Sequence, residues 1–225
     1  ALTTIEDTNT SDIILFDITR SINNTQKVIT INKNIAEPIF LIHKIKEDET
    51  FFTNSLKIKV AKGIKAQLVE VFVTNSKNSL YSVNRNFELD ENANLEYVKV
   101  QDINESNSFI FNSNIEQKNS SNIDFTNFEY GNGFILNNFI NNNNSEKITY
   151  NLNGLVKLKD DTTCSNLIKT VHNAQSSISD INYKHSLKDS SKAVFKAKSL
   201  VNETALFTKA FQNTNTILLS DDAVI

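Results

Sequence analysis

Few side chains in this sequence are suited to chemistry, and they are widely spaced. Cys164 is the single cysteine, and the three histidines are His43, His172 and His185. A metal site needs several thiolate or imidazole ligands close together, and no H-x-x-H or H-E-x-x-H arrangement supplies them. We therefore predict a structural role for Cys164 and satisfied polar roles for the histidines. Sulfur acceptance or a shared metal site is the alternative for Cys164.

Two pairs of neighbouring acids, Asp160–Asp161 and Asp221–Asp222, are the other candidates. Paired carboxylates serve glycoside hydrolysis or metal binding. Neighbours on a strand point to opposite faces, however, so a catalytic pair would normally come from two different strands. We predict turn-forming roles for both pairs. The chain also has no G-x-S-x-G elbow and no phosphate-binding G-x-x-x-x-G-K-[ST] loop, so we predict no catalytic, cofactor-binding or metal-binding residues.

The elements that position these residues are mostly strands, because apolar and polar residues alternate with a period of two. The candidate strands recur every 10–15 residues and are bounded by Asn, Asp and Ser clusters. Many short strands without helices between them predict a sandwich, a barrel or a solenoid. Apolar residues at helical spacing between 165 and 182 favour a helix there. The candidate strands are 13–19, 27–31, 38–43, 56–60, 66–73, 95–101, 108–115, 121–129, 134–140, 148–152, 154–159, 192–200, 205–211 and 216–219.

Composition narrows the class of protein. The chain has 225 residues, of which 39% are hydrophobic and 22% charged, and this is a globular composition. A net charge of -3 gives no basic footprint for nucleic acid. No apolar run approaches the length that spans a bilayer, and the N-terminus has no signal-peptide pattern. A single cysteine fits a reducing compartment, so we expect a cytoplasmic protein.

Asparagine is unusually common, at about one residue in seven, whereas there are only 4 Gly and 1 Pro. Asn tolerates the left-handed backbone conformation of turns. We therefore expect Asn to replace Gly at turns, and we attribute the bias itself to the base composition of the source rather than to a function. The run 141–144 is predicted to be an exposed loop.

The last third of the chain carries the most specific pattern. It reads YKHSL, then KAVFKA, then LFTKAFQNTNTILLSDDA. In order and spacing this resembles the core domain of the SufB/SufD family, scaffold proteins of the SUF iron–sulfur cluster assembly machine. Earlier segments fit the same frame, so the resemblance covers roughly residues 12–225. They are Pro38–His43, Leu68–Glu70, Asn92–Gln101 and Leu152–Leu155.

The sequence also departs from the family pattern. The family often has H-x-K-P-H before its Tyr-Lys pair, and here only His172 matches, because Gln175 and Ser176 replace the Pro and the second His. The family's F-N-G is Phe195-Lys196-Ala197. The N-terminal helical region, the C-x-H-G motif and the ATPase-docking helices lie outside this sequence, which we interpret as a fragment of a longer protein.

The resemblance implies an all-β fold, a right-handed parallel β-helix with little helix, and it overrides the helical pattern at 165–182. Residues 1–11 are then a leader and residues 12–225 the core. The resemblance implies a non-catalytic, SufD-like scaffold that pairs with a SufB-like subunit and a SufC-like ABC ATPase, the latter through the missing region. The iron–sulfur cluster would form at a partner interface. The alternatives are a β-helix that binds or cleaves polysaccharide and, less favoured, a solenoid adhesin.

We predict that the isolated chain does not hold an iron–sulfur cluster, because one Cys and three scattered His cannot supply its ligands. Anaerobic reconstitution with iron and sulfide, followed by absorption spectroscopy, tests this. A stoichiometric cluster that disappears in Cys164→Ser would contradict the prediction.

Overall fold

Strands dominate the computed structural model, which describes residues 1–8, 14–103, 106–131 and 133–225. Of the described residues 64% are in strands and 4% in helix, arranged as a parallel β-solenoid of about seven turns. The predicted fold class is therefore confirmed. The elements are β1 (Leu2–Glu6), α1 (Ile14–Ile22), β2 (Thr25–Ile31), β3 (Ile39–Ile45), β4 (Phe51–Val60), β5 (Lys65–Thr74), β6 (Leu80–Leu89), β7 (Asn94–Ile103), β8 (Ser108–Gln117), β9 (Asn122–Gly131), β10 (Phe134–Asn143), β11 (Thr149–Leu158), β12 (Thr163–His172), β13 (Ile178–Leu187), β14 (Lys192–Val201) and β15 (Lys209–Leu218).

The strands form two sheets that face each other across the core. One sheet has the order β1-β2-β4-β6-β8-β10-β12-β14 and the other β15-β13-β11-β9-β7-β5-β3. From β2 onward all neighbours are parallel, so each inner strand pairs with the strand one turn earlier and the strand one turn later. β1 is the exception, because it runs antiparallel to β2 and covers the outer edge of that sheet.

The turns of the solenoid stack in register, although they differ in length. Ser108 pairs with Phe134, 26 residues later, whereas Ile178 pairs with Lys209, 31 residues later. Because the spacing varies, no fixed-period repeat is visible in the sequence. The in-register stacking nevertheless places residues of the same type in columns that run along the solenoid.

The tight turns between strands need left-handed backbone, and Asn supplies it at few of them. Gly63 and the non-glycine residues with positive φ lie in these connections. Among the non-glycine residues of the described chain only Asn78 and Asn92 are asparagines, so the prediction that Asn replaces Gly at turns holds only in part. The others are Glu49, Ser120, Lys147, Asp160, Ser176, Asp189 and Phe207.

Asparagine is instead abundant on the strands. The prediction of an exposed loop at 141–144 is wrong for 141–143, which belong to β10, and Asn141 and Asn143 are buried. On the outer face of the same sheet the amide of Asn112 donates to Asn84 at 3.0 Å, and that of Asn138 donates to Asn112 at 2.9 Å. An amide carries both donors and an acceptor. Stacked Asn side chains can therefore satisfy one another from turn to turn.

The predicted strand at 13–19 is wrong. Residue 13 lies outside the described residues, and Ile14–Ile22 form α1. Phe16 and Thr19, three residues apart, are buried, and α1 packs against β4 and β6. Asn84 Nδ2 donates to the Phe16 carbonyl at 2.9 Å. The apolar residues of this segment fit a strand or a helix, and its packing against β4 and β6 selects the helix.

At 165–182 the apolar residues have helical spacing, but the segment is not a helix. This segment forms β12 and the start of β13, as the family resemblance implied. Ile168 and Ile181 hold inward, buried positions, whereas Leu167, Val171 and Ile178 alternate to the outer face and are only partly buried. Strand β6 was not among the predicted strands. No helix among the described residues is long and apolar enough to cross a membrane.

Gly154 is required by the ring of Tyr183 in the next turn. A Cβ at position 154 would overlap the carbons of that ring. We expect Gly154→Ala to lower the free energy of unfolding by about 1–3 kcal/mol, the usual cost of overpacking a core. Urea denaturation measures the loss.

The matched control is Gly63→Asn. Gly63 has a φ of +70°, and no atom lies within 4 Å of the position that a Cβ would take there. Asn92 holds the equivalent turn position one turn later with a φ of 57°. This variant should lose less than about 1 kcal/mol, because Asn adopts left-handed backbone readily. Equal losses in the two variants would contradict the packing argument.

Candidate functional site

Two clusters of polar and charged side chains interrupt the apolar interior of the solenoid. The Glu70 cluster consists of His43, Glu70, Arg85 and Tyr97. The Lys99 cluster lies further along the axis and consists of Lys99, Asn127, Glu129, Asn137 and Asn166. Strand alternation explains the placement, because each of these residues holds an inward position of its strand.

The Glu70 cluster is built around a two-pronged ion pair. Arg85 Nε donates to Glu70 Oε2 at 2.9 Å, and Arg85 Nη2 donates to Glu70 Oε1 at 2.8 Å. Both side chains have no solvent exposure. The remaining Arg85 nitrogen, Nη1, donates to the carbonyls of Asn84 at 2.8 Å and Asn54 at 3.2 Å. This fork geometry is the strongest form of carboxylate pairing.

Two further groups complete the shell of Glu70. His43 Nε2 lies 2.6 Å from Glu70 Oε1, and the Tyr97 hydroxyl donates to Glu70 Oε2. The His43 ring stacks on Phe72, with ring centroids 4.6 Å apart. The predicted satisfied polar role of His43 is therefore confirmed.

Electrostatics keep Glu70 ionised despite its burial. Burial by itself raises the pKa of this carboxyl, but attraction to Arg85 and hydrogen bonds from His43 and Arg85 outweigh it and lower the pKa to about 2. The pKa of Arg85 is affected by the same pair: burial lowers it, and Glu70 raises it by more. Burial and the neighbouring carboxylate raise the pKa of Tyr97, so this phenol stays protonated as a donor.

The Lys99 cluster places a buried ammonium group among three oxygen acceptors. Lys99 Nζ donates to Glu129 Oε1 at 2.9 Å, to Asn137 Oδ1 at 2.9 Å and to Asn127 Oδ1 at 3.1 Å. An ammonium group has three donors, so all of its hydrogen-bonding capacity is used. Nζ also lies 4.6 Å from the centre of the Phe111 ring. Burial lowers the pKa of Lys99, although Glu129 opposes the shift.

A chain of hydrogen bonds connects this cluster to Cys164. Asn137 Nδ2 donates to Asn166 Oδ1 at 3.0 Å, and Asn166 Nδ2 lies 3.5 Å from Cys164 Sγ. Cys164 has no solvent exposure. Burial, together with the negative charge of Glu129, raises the pKa of its thiol. The thiol is therefore held in its protonated, weakly nucleophilic form, which favours the predicted structural role.

The other two histidines lie away from both clusters. His172 Nδ1 is 3.1 Å from Asn143 Nδ2, and its Nε2 is 2.9 Å from Ser179 Oγ. Burial lowers the pKa of His172 and also that of His185. His185 packs beside the rings of Tyr183 and Phe195, at 6.0 and 5.9 Å between centroids, and its Nε2 is buried without a hydrogen-bond partner. The polar role is thus confirmed for His172 and only partly met for His185.

The paired acids lie in turns, as predicted. Asp160 has a φ of 57°, and Asp161, Asp221 and Asp222 are also turn residues. Among the described residues no group of three or more His, Cys, Asp or Glu side chains is placed to hold a metal ion. The two clusters thus hold charged side chains inside the solenoid. The four acids that the sequence offered as candidates belong to neither cluster and lie in turns.

Sequence reasoning named Glu70 and Lys99 only as parts of motifs and did not identify either cluster. A signal was present, because each charged residue interrupts an alternating row of inward apolar residues, as Glu70 does between Leu68 and Phe72. The sequence did not reveal the partner of Glu70, because Arg85 lies on the opposite sheet, 15 residues further along the chain.

We expect Glu70→Gln to destabilise the fold by about 3–5 kcal/mol at pH 7, because it leaves Arg85 as an uncompensated buried charge. The stabilisation from Glu70 is present above the ordinary glutamate pKa and is lost as pH falls toward its folded pKa of about 2. The difference between wild type and Glu70→Gln should therefore shrink between about pH 4.5 and pH 2. Urea unfolding at several pH values measures it.

The control is Glu96→Gln. Glu96 is exposed on the outer face of the same sheet, where it accepts a hydrogen bond from Gln67 at 2.7 Å. Its loss should change stability by less than about 0.5 kcal/mol. A Glu70→Gln effect that is small, or constant over this pH range, would contradict the ion-pair account.

Comparison with known proteins gives a family match. No curated protein matches the chain. The family model for "SUF system FeS cluster assembly, SufBD core domain" matches residues 42–225. The match includes β5, β6, β7 and β9, which carry Glu70, Arg85, Lys99 and Glu129. It also spans the C-terminal motifs on which the resemblance was based. The chain therefore belongs to the SufBD core domain family of the SUF iron–sulfur cluster assembly system.

Proposed function

We propose that this chain is the core of a non-catalytic, SufD-like scaffold subunit of a cytoplasmic SUF machine. It pairs with a SufB-like subunit, and the pair is driven by a SufC-like ABC ATPase. The iron–sulfur cluster is the product of the complex and forms at a partner interface. The observation that carries the proposal is the family match over residues 42–225.

The paired charges in the interior support a non-catalytic role, in which the chain has no cofactor of its own. The charged groups of both clusters are fully buried and already paired, with Arg85 on Glu70 and Lys99 on Glu129. Cys164 is buried with a raised pKa, and this opposes direct attack by its sulfur. That single inaccessible thiol also favours the SufD-like over the SufB-like assignment.

The β14–β15 end of this 225-residue chain presents a strand edge and an apolar surface. β15 has a hydrogen-bonded neighbour, β13, on one side only. Apolar side chains at this end are exposed, and strands with free edges recruit other strands. They are Val194, Leu200, Val201, Leu206, Phe207, Phe211, Ile217, Leu218, Leu219, Val224 and Ile225.

The polysaccharide alternative is not favoured. Enzymes and lectins of that kind display aromatic platforms and acids on a solvent face. Here four of the five tyrosines, Tyr81, Tyr97, Tyr150 and Tyr183, are fully buried in the core, and there is no Trp.

Co-expression tests the scaffold role. The product of the whole gene that contains this sequence should co-purify with its SufB-like and SufC-like partners, and Cys164→Ser should leave cluster transfer to an acceptor apoprotein within about twofold of wild type. Wild-type and variant complexes must be compared at equal subunit ratios. Failure to associate, or loss of transfer in Cys164→Ser, would contradict the proposal.

We predict that the 225-residue chain by itself associates through the β14–β15 end and does not bind the ATPase. Phe211→Lys with Ile217→Lys should shift it toward monomer, because charge blunts a sheet edge. Light scattering over a concentration series measures the mass. Phe134→Lys is the control, since Phe134 is 45% exposed on β10, an inner strand of the other sheet. A wild-type chain that is monomeric at high concentration would overturn the prediction.

A further inference from the structure

A groove lies in one corner of the solenoid, where strands of successive turns end. Gly131, the last residue of β9, lines it. Its φ is +112°, and a Cβ there would overlap the backbone of Ile103, so the backbones of neighbouring turns approach closely at this point.

The groove has a volume of about 770 Å³, within the range of small-molecule sites. Its apolar lining consists of the buried Ile103 and Leu158 and the exposed Leu219, and the half-buried Tyr130 also lines it. The Tyr130 ring is parallel to that of Phe128, with centroids 6.2 Å apart. This pairing gives the ring a fixed orientation.

Lysines dominate the rim. Lys77, Lys157, Lys159 and Lys188 line the groove, against one carboxylate, Asp102. Lys159 pairs with Asp160 at 3.4 Å. For the other three lysines, the described part of the chain shows no ion pair.

The register brings three of these lysines close together. Lys157 and Lys159 are two residues apart, so their Cα atoms are separated by roughly 7 Å. Leu158 pairs with Leu187, and Lys188 therefore stacks next to Lys159 at about the 4.8 Å spacing of strands. Like charges at this spacing repel one another, and a bound anion would relieve the repulsion.

Tyr130 and Lys157 lie on neighbouring strands, and both line the groove. The last pair of the β9–β11 register is Glu129 with Val156, and Tyr130 and Lys157 directly follow that pair in the sequence. A planar ring stacked on Tyr130 would therefore be adjacent to the lysine triad. Lys157, Lys159 and Lys188 are all exposed.

We propose that this groove binds a nucleoside phosphate, with the phosphates on Lys157, Lys159 and Lys188 and the base on Tyr130. Lysine is a point-charge ligand for phosphate, and bases stack on aromatic rings irrespective of their identity. The proposal is independent of the scaffold role, because the groove lies outside both interior clusters and away from Cys164.

Calorimetric titration with adenosine diphosphate and, separately, with pyrophosphate tests it at about 150 mM salt. Adenosine diphosphate should bind with a Kd below about 1 mM. Lys157→Gln with Lys188→Gln should weaken binding of both probes by about tenfold or more. Tyr130→Ala should weaken binding of the nucleotide by about fivefold or more and leave pyrophosphate unchanged.

The matched control is Lys196→Gln with Lys198→Gln, which removes the same charge from two exposed lysines on β14. It should change either Kd by less than about twofold. Three results would overturn the proposal: no nucleotide binding below about 1 mM, equal weakening by the two double variants, or pyrophosphate binding as tight as the nucleotide with no effect of Tyr130→Ala. Thermal unfolding of each variant shows whether the fold is kept, and Lys157→Gln alone substitutes for a double variant that unfolds.

Discussion

The in-register stacking of turns is the constraint on which the rest of this structure depends. In a parallel solenoid each inward side chain has neighbours from the turn before, the turn after and the facing sheet. A charged inward residue therefore cannot reach solvent and must find its partners within that small set. Glu70 meets this requirement with Arg85 and Tyr97, and Lys99 meets it with Glu129 and two amides. A buried ion pair formed in this way adds little net stability over an apolar pair. Removal of either member, however, leaves an unpaired buried charge and strongly lowers the stability of the fold.

The same constraint explains the form of the asparagine ladder. Asn84, Asn112 and Asn138 occupy one outward column, and each amide donates to the one before it, while Asn84 donates to the Phe16 carbonyl of α1. The ladder persists although the turns differ in length, because the strands of successive turns still pair in register. Paired residues are 26 residues apart in one turn and 31 in another.

Variation is confined to the connections and the ends. The corners can change in length without disturbing the core columns, and one corner carries a groove lined by four lysines. At the β14–β15 end the stack has a free edge and exposed apolar residues. The interior is thus closed and paired, whereas the corners and the β14–β15 end carry the exposed surfaces.

The sequence by itself determined the fold class and the family. Period-two alternation predicted most of the strands, and the ordered motifs from Tyr183 to Ala223 identified the SufBD core, because local pattern and motif order are properties of the chain alone. Only the tertiary structure decided that Ile14–Ile22 is a helix and that 165–182 is not. Both segments are apolar at spacings that suit either element, and packing against β4 and β6, or between neighbouring turns, settles the choice. The structure alone also paired Glu70 with Arg85 and aligned Lys157 with Lys188. Those contacts arise from the register between turns, which depends on connection lengths that no local pattern reveals.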